Sequence, residues 1–311
     1  MTALSLIAPD PRAPGASISG GNVYNLGLLA ALRAAGVDAR VLGRDAARPG
    51  GVCLVDSLYL DVLPRFAPCV LLAHYLPSLV DGTAPTEPER AALEAAAGFV
   101  VPSPFMAAAL APWSSRRPTW VVAPAVERAP SGVARRAGRA VMVANVVQGK
   151  GVLELVRALR GRTFSLAVVG SLDAEPSYAA ACRAGAGVEL LGPLPHDETL
   201  ALVAGSDFVV SASRMESFGL ALAEARAMGV PIVARRGGNV EAHVHADAGG
   251  ELVDDDDALA DACVRLAADP VELERRRRAA RAHVPPARSW ADAARELLQG
   301  LSPARLMPSG A

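Results

Sequence analysis

The 311-residue chain carries 31 basic and 32 acidic residues, and its formal net charge of -1 excludes a global basic field for nucleic acid or an anionic membrane. Apolar residues make up 51% of the chain and charged residues 20%, a balance that excludes a disordered polypeptide. The length predicts two domains, each with a core of its own.

Twelve short apolar runs alternate with Ala- and Leu-rich stretches along the chain. Their apolar residues are continuous instead of alternating, which predicts parallel strands buried on both faces of a sheet. The runs of the first series are residues 3–8, 38–43, 52–56, 69–74, 98–102 and 119–124, and those of the second are 140–146, 165–171, 188–192, 207–213, 230–235 and 249–253. Between the two series, residues 128–139 are polar, basic and aperiodic, which predicts a linker.

This order predicts an α/β protein with two Rossmann-like doubly wound domains facing a cleft, the first of them spanning residues 1–127. Ligands of such sheets bind beyond the carboxyl ends of the strands, so the loops there are where a site is expected. The common motifs are missing from these loops. GASIS at 15–19 lacks the last Gly of a nucleophile elbow, NVVQGKG at 145–151 lacks two elements of a P-loop, and no strand precedes G-x-G-x-x-G. We therefore expect another class of ligand.

The cysteines are far apart and form no C-x-x-C pair. This spacing predicts buried thiols in a reducing compartment. The chain begins without a basic n-region, and none of its apolar runs reaches the ~18 residues that span a bilayer. We therefore expect a cytoplasmic protein, and the high usage of Ala, Arg and Gly indicates a bacterial source. The four cysteines are Cys53, Cys69, Cys182 and Cys263.

Two carboxylates stand out in the stretch SRMESFGLALAEARAMGVPIVA, residues 213–234. Glu216 follows a predicted strand, and the next three residues turn the chain into a helix that contains Glu224. The backbone N–H groups near residues 218–220 would form an anion site at the start of that helix. Because carboxylates beside a phosphate are electrostatically unfavourable, we expect the two glutamates to bind sugar hydroxyls instead.

The spacing of Glu216, seven intervening residues and Glu224 resembles the E-x7-E motif of the retaining family 4 glycosyltransferases, which have the two-domain GT-B fold. Five further blocks are similar to that family and stand in its order. They are residues 19–42 with a Gly-Gly loop and first helix, 122–127 closing the first domain, 149–159 with a Lys-Gly loop, 192–207 leading into the E-x7-E strand, and 237–257 with a late donor loop.

The resemblance implies an enzyme that transfers a hexosyl-type sugar from a nucleoside-diphosphate donor, of the UDP or GDP type, with retention at the anomeric carbon. It implies no metal ion and no cofactor besides the donor as co-substrate. The acceptor would be a small molecule, a glycan or a lipid. A donor domain is expected at residues 128–288, and residues 289–311 resemble the C-terminal helix that crosses back to the first domain.

The resemblance also implies roles for single residues. Glu224 would bind the ribose hydroxyls and Glu216 the donor sugar, while Lys150 would neutralise the pyrophosphate. His74 would lie near the reacting centre, so that His74, Glu216 and Lys150 form the expected catalytic set. The other expected donor contacts are the backbones of Gly20 and Gly21 at the phosphates, the amides of Phe218, Gly219 and Leu220, the backbone at Leu194 for the base, and position 145.

One position departs from the family pattern. The family usually carries an Arg five residues before the Lys, as a second cation for the phosphates, but here that residue is Asn145. A charge-assisted hydrogen bond contributes about 1.5–3 kcal/mol, so its loss would weaken donor binding tenfold or more. Arg214 or Arg235 would be a substitute. An altered donor or reduced activity is the other consequence left open.

Plainer interpretations stay open for the same residues. The two glutamates would be a helix cap and an exposed charge, Lys150 a solvated lysine, and His74 a hydrogen-bonded structural histidine. His243 and His245 would contact the donor, or less favourably hold a metal. In the acidic run 254–257, the last residue, Asp257, is the predicted N-cap of a helix. The basic run 274–283 predicts a solvated helix, with a peripheral membrane contact as the alternative.

Three other functions remain open at this stage. A nucleotide-sugar epimerase would convert the donor without an acceptor. A pseudo-glycosyltransferase would share the donor site and couple a non-sugar cyclitol. A non-enzymatic sugar-nucleotide-binding protein would bind the donor and never turn it over.

Overall fold

The computed structural model describes residues 3–10, 19–115, 117–130, 132–183 and 187–301, which form two compact units. Among these residues, the first unit contains 3–10, 21–125 and 288–301, and the second contains 19–20 and 126–287. The predicted domain limits of 1–127, 128–288 and 289–311 remain predictions, and the last segment extends beyond the described residues.

The first unit is built on a six-stranded parallel sheet, with the strand order β2-β1-β3-β4-β5-β6. All six strands predicted in this half of the chain are present. The order reverses between β1 and β3, which identifies a doubly wound sheet. The strands are β1 (Ala3–Ile7), β2 (Asp38–Leu42), β3 (Val52–Asp56), β4 (Val70–Leu72), β5 (Gly98–Val101) and β6 (Thr119–Val121).

Helices connect the strands of this sheet except β2 and β3, which are joined by residues 43–51 without a helix. Several begin with Pro in the first turn, where the missing N–H costs no hydrogen bond. They are α1 (Gly20–Ala34), α2 (Leu63–Phe66), α3 (Pro77–Asp81), α4 (Glu87–Ala95), α5 (Pro104–Ala109) and α6 (Ala111–Ser114).

The second unit repeats the plan, with a six-stranded parallel sheet in the order β12-β11-β10-β7-β8-β9. All six predicted strands are again present. The strand order reverses between β7 and β10, so the crevice at the carboxyl ends of these two strands is where a ligand is expected. The strands are β7 (Ala140–Val143), β8 (Leu166–Val169), β9 (Val188–Gly192), β10 (Val209–Ser211), β11 (Ile232–Arg235) and β12 (Glu251–Val253).

The helices of the second unit pack on both faces of its sheet, and their apolar residues join the sheet in two buried clusters. They are α7 (Val152–Ala158), α8 (Pro176–Cys182), α9 (His196–Gly205), α10 (Leu220–Ala227), α11 (Asp256–Ala268) and α12 (Pro270–Ala282).

The last helix, α13 (Trp290–Gly300), belongs to the first unit. It begins with a capping box in which Ser289 and Asp292 satisfy each other's backbone N–H groups. Its residues Ala293 and Leu297 are fully buried in the cluster that includes α1. Trp290 lies against Gly27, where a Cβ would be only 2.1 Å from the indole ring, so α1 approaches it through a residue without a side chain.

Burial on both faces holds for the central strands but not for the four strands at the sheet edges. β4, β5, β8 and β10 are buried throughout, whereas β2, β6, β9 and β12 are only partly buried. Continuous apolar character therefore predicted the strands correctly but overestimated the burial of the outer ones.

The structure corrects two further predictions. The N-cap of α11 is Asp255, whose carboxylate accepts from the Ala258 N–H at 2.7 Å, and not Asp257, which lies inside the helix. The basic run on α12 is not wholly solvated. Arg277 is 5% exposed and donates to the carbonyls of Ser206 and Asp207 at 2.6 and 3.0 Å. Burial lowers the pKa of its guanidinium.

The predicted linker 128–139 forms no helix or strand in its described residues. It is nevertheless held to the second unit, because the buried carboxylate of Asp207 accepts from Arg135 Nε at 2.7 Å and from the Gly138 N–H at 2.6 Å. All four cysteines are buried free thiols, as predicted. None of the helices in the described ranges combines the length and apolar character that a bilayer-spanning segment needs.

Candidate functional site

Two loops meet at the switch point of the second sheet. Residues 144–151 follow β7, and residues 212–219 follow β10. The Arg214 N–H donates to the Gly149 carbonyl at 3.1 Å, which ties one loop to the other. The loops approach so closely that a Cβ at Gly151 would lie 2.3 Å from the Ala212 carbonyl oxygen. The crevice is therefore lined by two loops that are in direct backbone contact with each other.

Each of these loops contributes one charged side chain to an ion pair. Lys150 Nζ lies 2.5 Å from Glu216 Oε1. The two side chains are 30% and 18% exposed, so both are in reach of a ligand. The structure thus brings together two of the three residues of the expected catalytic set.

The loop after β11 supports the turn that contains Glu216. The backbone of Glu216 forms a parallel bridge with Gly238, and its carbonyl accepts from the Asn239 N–H at 2.7 Å. Gly238 has a φ of +60°, and a Cβ there would lie 2.5 Å from the Glu216 carbonyl oxygen. Only glycine satisfies both conditions, so this contact depends on residue 238.

The carbonyl of Phe218 is held by two side chains from the same supporting loop. It accepts from Asn239 Nδ2 at 2.7 Å and lies 2.6 Å from His243 Nε2. Burial lowers the pKa of His243, and the carbonyl can only accept, so the neutral ring must carry its proton on Nε2. The described residues include no group of three or more His, Cys, Asp or Glu side chains that could hold a metal ion.

The start of α10 follows directly from this supported turn. Gly219 is its N-cap, with a φ of +87°. Within the described residues, the N–H groups of Gly219 and Leu220 donate to no protein acceptor. Free N–H groups at a helix N-terminus attract anions. The anion site at this helix start remains a prediction, with these two N–H groups as its donors.

Glu224 lies further along α10, and its side chain is only 7% exposed. Its buried oxygen Oε1 accepts no hydrogen bond from any residue in the described ranges. Burial raises the pKa of Glu224 above its usual range, and the nearby His196 offsets part of that rise. A buried carboxylate with so few donors has acceptor capacity left for a ligand.

Sequence reasoning missed the partner of Glu224. His196 is the first residue of α9, and its Nε2 lies 3.3 Å from Glu224 Oε1 and 3.6 Å from Glu127 Oε2. Glu224 raises the pKa of this histidine, and burial opposes it. The signal was present, because His196 lies in the block 192–207 and follows the loop after β9, but its side chain was not considered.

Asn145 has a contact of its own. Its Oδ1 accepts from the Ser171 N–H at 2.9 Å and so joins the loops after β7 and β8. The two arginines expected as substitutes are both paired with carboxylates. Arg214 lies 3.4 Å from Glu154, and Arg235 lies 3.4 Å from Asp256.

The remaining predicted site residues belong to other elements. His74 follows β4 in the first unit, and its Nε2 is 3.0 Å from Asn25 Oδ1, while Asn25 Nδ2 donates to the buried Asp56 at 2.7 Å. Burial lowers the pKa of His74. Gly20 and Gly21 are the first residues of α1 and not part of a loop. Leu194 is half-buried between β9 and α9.

Comparison with known proteins agrees with this geometry. Residues 137–269 match the family model described as glycosyl transferases, group 1. The match lies entirely within the second unit. A D-inositol 3-phosphate glycosyltransferase of Corynebacterium urealyticum is 42% identical over 84 residues, which are 26% of this chain and 20% of that protein. Another, from Catenulispora acidiphila, is 33% identical over 135 residues, which are 42% of this chain and 32% of that protein. The chain thus spans a third or less of these curated relatives.

The fold is matched over nearly the whole chain. A sucrose-phosphate synthase from Thermosynechococcus elongatus aligns with a TM-score of 0.79 and 22% identity, over 96% of this chain and 98% of that one. HepE of Anabaena, solved with UDP and glucose, aligns with a TM-score of 0.73 and 16% identity, over 97% and 99% of the two chains. The two six-stranded α/β domains therefore have the GT-B fold, and the predicted fold class is confirmed.

Proposed function

We propose that the protein is a retaining glycosyltransferase that moves a hexosyl-type sugar from a UDP- or GDP-type donor to a hydroxyl acceptor without a metal ion. The observation that carries this proposal is the buried, hydrogen-bond-free oxygen of Glu224 on α10. The two vicinal hydroxyls of a ribose would supply hydrogen-bond donors to this carboxylate in addition to its ion pair with His196. Burial of a carboxylate is costly, and one imidazole at 3.3 Å offsets only part of that cost, which favours a ligand there.

The diphosphate would lie at the start of α10. The N–H groups of Gly219 and Leu220 would supply donors, and Lys150 on the neighbouring loop would supply a cation. These groups would meet the charge that develops on the leaving diphosphate as the glycosidic bond breaks. Lys150 is paired with Glu216 in the free protein, so donor binding would divide its charge between that carboxylate and the phosphate.

In the transfer itself, the bond between the anomeric carbon and the diphosphate oxygen breaks, and its electron pair stays on that oxygen. The acceptor hydroxyl attacks from the same face, and its proton passes to the departing phosphate. Glu216 would hold the donor sugar, so the residues supply positioning and electrostatics. His74 is the proposed group beside the acceptor hydroxyl.

Two comparisons support the donor class. Residues 137–269 match the group 1 glycosyl transferases, and the HepE structure of the same fold was solved with UDP-glucose. Curated relatives that match part of the chain are glycosyltransferases as well. The Asn145 contact with the Ser171 N–H means that the usual phosphate cation is replaced here by a residue that holds two loops together.

Donor binding tests the proposal. We expect one of UDP-, GDP-, ADP- or dTDP-glucose to raise the melting temperature of the wild type, because a ligand at 100 times its Kd adds about 2.7 kcal/mol of stability. Glu224→Gln should lose this shift. Glu198→Gln on the exposed first turn of α9 is the matched control and should keep it.

Two further assays test metal independence and the alternative epimerase activity. Release of nucleoside diphosphate from the bound donor in the presence of EDTA would agree with metal independence, and its loss would contradict it. Conversion of the donor sugar to its epimer without an acceptor would replace the transferase with an epimerase. If none of the four donors binds, the proposed function is wrong.

A further inference from the structure

One imidazole nitrogen lies between two carboxylates behind the proposed ribose site. His196 Nε2 is 3.3 Å from Glu224 Oε1 and 3.6 Å from Glu127 Oε2. The three residues come from different places in the second unit, since His196 starts α9, Glu224 lies on α10 and Glu127 precedes the linker. The exposed fractions of the side chains are 31% for His196, 7% for Glu224 and 50% for Glu127.

His196 and Glu224 have different charged neighbours. The carboxylates that act on His196 are Glu224, Glu127 and, on its own helix, Asp197. In the described part of the chain, the charges acting on Glu224 are the cation of His196 and the repelling carboxylate of Glu127. Without the imidazolium, Glu224 would be a buried acid with a like charge nearby, and both conditions favour its protonated form.

We propose that His196 is a positioning residue of the nucleotide site, whose imidazolium, itself held by Glu127, keeps the Glu224 carboxylate ionised and turned toward the ribose. This inference rests on the proposed function, because it assigns the ribose to Glu224. An ionised carboxylate accepts from both ribose hydroxyls, whereas a protonated one gives up part of its acceptor capacity to its own proton.

The proposal predicts how donor affinity changes with pH. Affinity falls at the acid end, where Glu224 takes up a proton. Replacing His196 by Gln removes the cation, so that fall must begin at a higher pH than in the wild type. Replacing Glu127 by Gln removes the repelling charge, so that the fall must begin at a lower pH. Two neighbouring substitutions of similar size thus have opposite effects.

The test is titration calorimetry with UDP-glucose and GDP-glucose between about pH 5 and pH 9. The pyrophosphate diester of these probes does not titrate in that range, and any shared change cancels between variants. At the acid end we expect His196→Gln to bind about tenfold more weakly than the wild type, since removal of a nearby opposite charge shifts a carboxyl by a unit or more. Near pH 8 the two affinities should approach each other. Glu198→Gln on the same helix should follow the wild type at every pH.

The outcomes are distinct. Parallel profiles of the wild type and His196→Gln, offset by a constant factor, would show that His196 only packs against the site, and would overturn the inference. If His196→Gln does not fold, His196→Asn removes the same cation with a smaller side chain, and parallel profiles of that variant and the wild type would have the same consequence. If neither probe binds the wild type, the proposed function fails and the inference fails with it.

Discussion

At the scale of single residues, the site combines one feature that stabilises the free protein with one that destabilises it. The Lys150–Glu216 pair neutralises two charges at 2.5 Å. Glu224 instead keeps a buried carboxylate, and its ion pair with His196 at 3.3 Å offsets only part of the cost of burial. Sites that bind ligands commonly retain groups that are unfavourable until the ligand arrives. Glu224 is therefore where binding and stability should respond in opposite directions.

Glu224→Gln should make the free protein more stable relative to the wild type as pH rises. Burial holds the pKa of Glu224 above its unfolded value, so ionisation disfavours the folded state above that unfolded value. The neutral amide has no such cost. We expect the melting temperature difference between variant and wild type to increase from about pH 4 toward neutrality and then level off.

Thermal scans without ligand measure this difference, with Glu198→Gln as the matched exposed control. If the difference in melting temperature does not vary with pH, then folding does not raise the pKa of Glu224, and the prediction is wrong. The same variant should show no donor-induced shift, so one substitution raises stability and abolishes binding.

The sequence predicted these residues unevenly for a physical reason. Glu216, Glu224 and Lys150 stand in motifs with fixed local spacing. His196 and Glu127 act only because folding brings them to Glu224, and no local spacing records that contact. For the same reason, the hydrogen bond of Asn145 to Ser171 could not be predicted, since it joins loops after two different strands.

At the scale of elements, the Glu216–Gly219 turn is the part on which the site depends. It is held from the loop after β11 by Asn239 and His243, which both contact the Phe218 carbonyl. Gly219 has a φ of +87°, and a Cβ there would lie 3.1 Å from the His243 ring. The position has both a backbone and a packing requirement for glycine.

Gly219→Ala should therefore weaken donor binding as well as stability. The left-handed backbone costs an alanine about 1–2 kcal/mol, and the contact with His243 displaces the turn further. Gly161→Ala is the matched control, because Gly161 has a φ of +74° and a Cβ there would meet nothing within 4 Å. Both variants should lose similar backbone stability, but only Gly219→Ala should bind UDP- or GDP-glucose more weakly. Equal affinities in the two variants would contradict the role given to this turn.

All twelve strands were predictable because parallel strands in the middle of a sheet need continuous apolar runs. Their ends were less accurate, since apolar residues continue into the loops. The predicted run 207–213, for example, gives a strand only at Val209–Ser211. The N-cap of α11 was misplaced by two residues, because neighbouring aspartates are equivalent in sequence and only the path of the chain after β12 selects Asp255.

At the scale of the whole molecule, each unit encloses its own core, and the three tryptophans all belong to the first. Trp113, Trp120 and Trp290 pack against buried clusters of that unit. Intrinsic tryptophan fluorescence should therefore follow the unfolding of the first unit, and nucleotide binding should report on the second.

Leu297→Ala on α13 should lower the stability seen by tryptophan fluorescence by about 2–5 kcal/mol, as expected for a fully buried leucine. Leu273→Ala on α12 is the matched change in the second unit, where the leucine is 5% exposed. This variant should leave the fluorescence transition unchanged. It should lower the stability of the second unit, measured as the loss of donor binding on unfolding. A fluorescence transition that shifts equally in both variants would show that the two units unfold together.

The placement of α13 also determines the order in which the protein can be completed during synthesis. The first unit is made of residues from both sides of the second, so its strands leave the ribosome early while the helix that covers α1 is translated after the second unit. The second unit has all its segments available before that point. Translation of the first unit therefore starts before that of the second unit but is completed after it. The apolar surface of α1 that α13 covers stays exposed while the second unit is translated.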